Sequence, residues 1–180
     1  KLLHLAMHSE VNNNRPELSK LLFSNKTSRD NHLYIEEIYG MDLGAELVVL
    51  SACNTGVGKE NEGRSLESFQ RAFTFAGVPA VVASLWEVPD KATQQVMTFF
   101  YENLKKGQKK ALALKNAKLE YLKRHKGTKL AEPFYWAGFV LYGKNDAVVK
   151  TTYLTPWVWT LLILVLALSV ALFSKKRFVK

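Results

Sequence analysis

The chain has 180 residues, 48% of them hydrophobic, with 25 Lys/Arg against 16 Asp/Glu and a single cysteine. That length accommodates one domain with a core plus an appendage, and a lone cysteine excludes a disulfide within the chain. A start at Lys1 reads as a piece or a processed product, and no signal peptide is visible to place it.

In chain order, KLLHLAMH (residues 1–8) reads as an apolar strand that runs into an Asn-rich loop with Arg15-Pro16. A helical turn follows at 33–39 and stops at Gly40. ELVVLSA (46–52) is a second strand, without polar alternation, as in a sheet covered on both faces. After the loop TGVGKENEGRS, Ser65 is placed to cap a helix in which Leu66, Phe69, Phe73 and Ala76 recur on one face, ended by Gly77 and Pro79. AVVASLW (80–86) is a third strand. A helix capped by Asp90 then turns Ala92, Val96, Phe99, Phe100 and Leu104 inward. FYWAGFVLYG (134–143) is the fourth strand. Strands alternating with helices predict a parallel α/β sheet flanked by helices on both faces.

Charge is unevenly placed. Residues 1–104 hold nine Lys/Arg and thirteen Asp/Glu, whereas 105–129 hold ten basic residues and only Glu120. In that basic stretch Ala111, Leu112, Leu114, Leu119 and Leu122 can line one side of a helix with lysines on the other. No aromatic except Tyr121 is interleaved and no nucleic-acid module accompanies the charges, so the stretch reads as a solvated helix face and nucleic acid is not an expected partner.

From Thr151 to Ser174 there is no charged residue. The core WVWTLLILVLALSVALF (157–173) would cover roughly 26 Å as a helix, close to the thickness of a bilayer's hydrocarbon. Trp157 and Trp159 stand at one end, and Lys175, Lys176 and Arg177 close the other. This predicts a single membrane-spanning helix that contacts lipid, and the positive charges favour a cytosolic C-terminus. The expected division is a domain over 1–144, a juxtamembrane linker over 145–156, the span over 157–173 and a basic tail over 174–180.

Sites in parallel sheets form at the carboxyl ends of the strands, and His8, Cys53 and the pair Trp86-Glu87 each stand at such an end. Three roles are open to Cys53: a buried small hydrophobe, a metal ligand or a nucleophile. His4 and His8 would lie about 13 Å apart on an extended strand, and no CxxC or HxxxH spacing supplies further ligands, so no metal is expected. A thiolate–imidazole pair needs only two residues. The 45 residues from His8 to Cys53 approach the His-to-Cys spacing of about 50 in caspases. On spacing and placement alone, a structural cysteine and a cysteine peptidase both remain open.

LHLAMHS, EEIYGMDLGAELVVLSACNTGVGK, GRSLESFQRAFTFAGVPAVVASLWEVPD, ALKNAKLEYL and PFYWAGFVLYG resemble, in that order, the CHAT domain, a caspase-like family commonly fused to tetratricopeptide repeats. The resemblance covers about residues 2–143. It implies a caspase-like, mostly parallel sheet, endopeptidase cleavage of protein or peptide substrates by a His/Cys pair, and no cofactor. Carried over residue by residue, it makes His8 the general base, Cys53 the nucleophile, and His4 a histidine buried in the strand. It implies an oxyanion site from the backbone N–H groups of Ser9 and Cys53, and a substrate groove beside Ser84, Leu85 and Trp86. Glu87 and Asp90 follow Trp86 at the carboxyl end of a strand and are candidate pocket residues for a basic side chain by charge pairing, with a helix cap as the other role for Asp90, and Asn54 joins them as the residue after the cysteine. The resemblance also implies that the sheet is N-terminally truncated, with further strands and regulatory helical repeats upstream. Two positions depart from the family's pattern: Ser9 replaces the glycine of a His-Gly pair, and Asn54 stands where an acidic residue is more usual. A catalytically silent CHAT scaffold that binds protein partners is the rival expectation.

Overall fold

The computed structural model describes residues 1–10, 12, 14–23, 31–51, 62–149, 160 and 164, with 62–67 described as helix backbone alone. Two units divide the chain, Lys1–Val149 and Lys150–Lys180. Seven strands are described, β1 (Leu2–Leu5), β2 (His8–Glu10), β3 (Lys20–Leu22), β4 (His32–Tyr34), β5 (Leu47–Leu50), β6 (Ala80–Ser84) and β7 (Phe139–Gly143). The helices are α1 (Ile35–Tyr39), α2 (Glu62–Phe75), α3 (Asp90–Lys105) and α4 (Lys110–Arg124).

The main sheet has the order β1-β5-β6-β7. β1, β5 and β6 run parallel, as expected, whereas β7 pairs antiparallel to β6. Every residue of β5 and β6 is buried, and the alternation of side chains divides them between two cores. Val48, Leu50, Val81 and Ala83 pack with Leu21, Ile35, Ile38, Phe69 and Phe73 on the α1–α2 side. Leu47, Val49, Ala80 and Val82 pack with Val96, Phe100, Leu104, Leu114 and Tyr121 on the α3–α4 side. A sheet covered on both faces demands apolar residues at consecutive positions, which is why LVVL and AVVA carry no alternation.

The first expected strand is corrected. The run LLHL forms β1, the pairing breaks at Ala6 and Met7, and His8–Glu10 starts a separate antiparallel sheet of order β2-β3-β4. The fourth strand is also shorter than expected: 133–135 is a turn of 3-10 helix, and pairing starts only at Phe139. β7 ends at Gly143 with φ +87°, where a Cβ would stand 2.3 Å from the carbonyl oxygen of Pro79, so only glycine fits.

α3 buries the five residues expected of it, and Met97 with them. Asp90 does not cap it: Pro89 holds that position without a side-chain bond, and Asp90 is the first helical residue, where its charge suits the helix dipole. Ser65 likewise lies inside α2, which starts at Glu62. In α4 the buried stripe is Lys110, Ala113, Leu114, Ala117 and Tyr121, while Leu112 and Leu119 face outward. Lys118 is not a solvated lysine either: its Nζ donates to the carbonyls of Ala137 and Phe139, and desolvation lowers its pKa. Beyond β7 the chain returns to the start of α4. There the backbone carbonyl of Asp146 accepts from the buried Lys110, the Asn145 side chain accepts from the N–H of Ala111, and Ala147 bridges Lys109.

Among the described residues no helix is long and apolar enough to cross a membrane. The expected span at 157–173 lies outside them, apart from helical Thr160 and Leu164.

Candidate functional site

The register aligns the carboxyl ends of three parallel strands. Leu5 pairs with Leu50, and Leu50 with Ala83. His8, Cys53 and Trp86 each stand three residues beyond a member of that row. Neighbouring strands are about 4.8 Å apart, so the three strand ends stand side by side. Cys53 and Asn54 themselves lie outside the described residues.

His8 opens β2 opposite Leu22, is exposed, and has no side-chain hydrogen bond among the described residues. Antiparallel pairing with β3 thus fixes its backbone while leaving the imidazole open. Ser9 beside it is buried opposite Leu21, and its Oγ has no partner among the described residues. Its place in a strand means an extended backbone, which accepts a Cβ without the strain of a left-handed conformation.

Past the end of β6, the Trp86 indole N–H donates to the carbonyl of Phe134 at 2.9 Å. The ring lies over Gly138, where an added Cβ would meet Trp86 Cε2 at 3.0 Å and Ser84 Oγ at 3.1 Å. Ser84 in turn donates to the Trp86 carbonyl, tightening the exit from β6. Glu87 and Asp90 are exposed, and no salt bridge to either is found among the described residues.

His4 departs from its expected place. Among the described strands β1 stands at the edge of the sheet, and His4 is exposed there, not enclosed. Both ring nitrogens are nonetheless engaged: Nε2 lies 2.6 Å from Ser51 Oγ, and Nδ1 lies 2.9 Å from the Tyr101 hydroxyl. Partial burial of the ring lowers the His4 pKa and favours neutral imidazole, and desolvation raises that of Tyr101, which keeps its proton. Ser51 is buried, and its N–H donates to the carbonyl of Leu5. Sequence reasoning missed Ser51 and Tyr101. The available signal was a polar His4 interrupting an apolar run, on the strand face that α3 covers. Its partner on α3 is separated by 97 residues, a distance periodicity does not bridge.

No group of three or more His, Cys, Asp or Glu that could hold a metal is found among the described residues. The family model described as the CHAT domain matches residues 1–144. Tetratricopeptide repeat protein 28 of Mus musculus is 31% identical over 117 residues, which are 65% of this chain and 5% of that protein. The Homo sapiens protein of the same name is 31% identical over 109 residues, 61% of this chain and 4% of that protein. The chain thus spans about one twentieth of the length of these relatives.

Proposed function

The chain belongs to the CHAT domain family, and from that premise we propose that it is the caspase-like part of a membrane-anchored cysteine endopeptidase. The observation that carries this reading is the registered row Leu5–Leu50–Ala83, because the segments bearing His8, Cys53 and Trp86 all leave the sheet from it.

In this reading the His8 imidazole takes the Cys53 thiol proton and the thiolate attacks the carbonyl carbon of the scissile peptide bond. The tetrahedral oxyanion is held by backbone N–H groups, with Ser9 and Cys53 as the candidates. The imidazolium then protonates the leaving amine, and the acyl group remains on sulfur as a thioester. Water, deprotonated by His8, hydrolyses that thioester and restores the thiol. Trp86 offers an apolar wall to the peptide. Glu87 and Asp90 offer negative charge to a basic residue before the scissile bond, and Asn54 follows the nucleophile directly. The apolar run 157–173 anchors the chain in lipid with its basic tail in the cytosol, and tetratricopeptide repeats of the kind named in the relatives regulate the domain from upstream. No cofactor takes part.

The second reading is a silent scaffold for protein partners, favoured by Ser9 in place of the family's glycine. The two part on reactivity. In the full-length protein, His8→Ala should slow peptide cleavage by about 10²- to 10⁴-fold and slow iodoacetamide modification of Cys53 at pH 6. Alkylation that is slow and independent of His8, with no cleavage, decides for the scaffold. Retention in the pellet after carbonate extraction checks the anchor, and release into the supernatant removes it.

A further inference from the structure

His4, Ser51 and Tyr101 tie three elements together through polar side chains, beside the β1–β5 ladder and the apolar packing of β5 against α3. His4 belongs to the edge strand β1, Ser51 is the first residue past β5, and Tyr101 is on α3. The ring of His4 also packs against that of Tyr101, with centroids 5.6 Å apart. Ser51 is buried and stands two residues before Cys53 in the sequence, so whatever fixes Ser51 fixes the start of the segment that carries the thiol.

The proton inventory of this chain of contacts orders it. Neutral imidazole offers one donor and one acceptor. Among the described residues the Ser51 hydroxyl has no acceptor other than His4 Nε2. Donation from Ser51 to Nε2 leaves the His4 proton on Nδ1, directed at the Tyr101 oxygen, and the half-buried tyrosine turns its own proton outward. The opposite tautomer strands the hydroxyl proton of a buried serine, at the cost of an unmade hydrogen bond.

Resting on the peptidase reading above, we infer that His4 is a positioning residue for that reaction. Held by Tyr101, it fixes the Ser51 hydroxyl and so sets the exit of β5 from which Cys53 is presented to His8. Its two engaged nitrogens keep it from serving as the base itself. The histidine that acts as base is His8, whose ring has no hydrogen-bond partner among the described residues.

The test uses the full-length protein and reads the pH profile of Cys53 alkylation by iodoacetamide together with kcat and KM for peptide cleavage. Ser51→Ala and Tyr101→Phe each remove a single oxygen and leave the apolar cores untouched, so they disturb the fold less than His4→Ala, which removes a whole ring. Ser51→Ala should move the profile toward that of a free thiol near pH 8.5 and lower kcat about tenfold or more, with KM nearly unchanged. Tyr101→Phe should do the same more weakly. His4→Gln, whose amide can still meet Ser51, should restore most of what His4→Ala loses. The ring nitrogen shifts of His4 should report the proton on Nδ1. A His8→Ala profile serves as the control. If His8→Ala moves the profile and Ser51→Ala does not, the inference is overturned while the dyad stands. If His8→Ala leaves it unmoved, the dyad reading fails, and amide hydrogen exchange over residues 51–56 decides. Faster exchange in Ser51→Ala and His4→Ala upholds the tie, and equal exchange overturns it.

Discussion

The centre of the main sheet and its β1 edge obey different rules. β5 and the run AVVA of β6 are apolar at every position and buried on both faces, and Ser84 at the end of β6 is buried with them, so these residues are chosen chiefly by packing. β1 alternates between exposed and buried positions, breaks after Leu5, and hands the chain to a small antiparallel sheet. The candidate residues His4, His8 and Ser9 all lie on this weaker side. A rigid centre lets the edge carry polar groups that a double-sided core would not tolerate.

That contrast can be broken at the centre first. Phe100→Ala removes a fully buried ring from the α3–α4 core and should cost about 3–5 kcal/mol, read as a lower midpoint in urea. At temperatures where the variant is folded, its Cys53 alkylation profile should stay that of the parent. A changed profile would show that centre and edge are coupled, not separate.

Gly143→Ala should have the next largest effect. Its Cβ would collide with the Pro79 backbone at a positive φ, and about 1–3 kcal/mol is the expected loss. The damage should centre on β7, seen as faster hydrogen exchange at 139–143 than at 47–50.

On the edge, pH provides a finer probe. His4 has a pKa below that of an unfolded histidine, so between the two values the unfolded chain binds more protons. Stability contributed by the neutral ring is therefore present above pH 6.5 and declines as pH falls from there toward the folded value. His4→Gln should flatten that decline in unfolding midpoints measured from pH 7 to pH 5. An unaltered slope would assign it to another group.

Smallest of all should be Leu119→Ala. The residue is 51% exposed on α4, and its loss should change stability by less than about 0.5 kcal/mol. A loss approaching that of Leu114→Ala would mean that a partner covers this face of the helix.

How far the sequence revealed this molecule follows the same division. LVVL, AVVAS and the inward face of α3 were legible because burial on two faces or on one helical stripe writes itself as a simple apolar pattern. β2, β3 and β4 have three residues each, too few for any period to register. The break at Ala6 and Met7 was hidden because LAM continues an apolar run without a turn residue. Leu112 and Leu119 misled for the opposite reason. Their type suggested burial, whereas the alanines and Tyr121 provide the close-packed stripe. Of the candidate site, the order of His8, Cys53 and Trp86 along the chain was legible, and so was their place at strand ends. The contact of His4 with Tyr101 was not, since it depends on which helix covers which face.

The strap beyond β7 has a mechanical consequence. A pull on the chain past Val149 is received first where Asp146 holds Lys110, Asn145 holds the N–H of Ala111, and Ala147 bridges Lys109. The start of α4 bears that load before the ladder between β7 and β6 does. Tension along the backbone is therefore delivered first to α4, a helix packed broadly against α3, and the last strand of the sheet is loaded only after those contacts part.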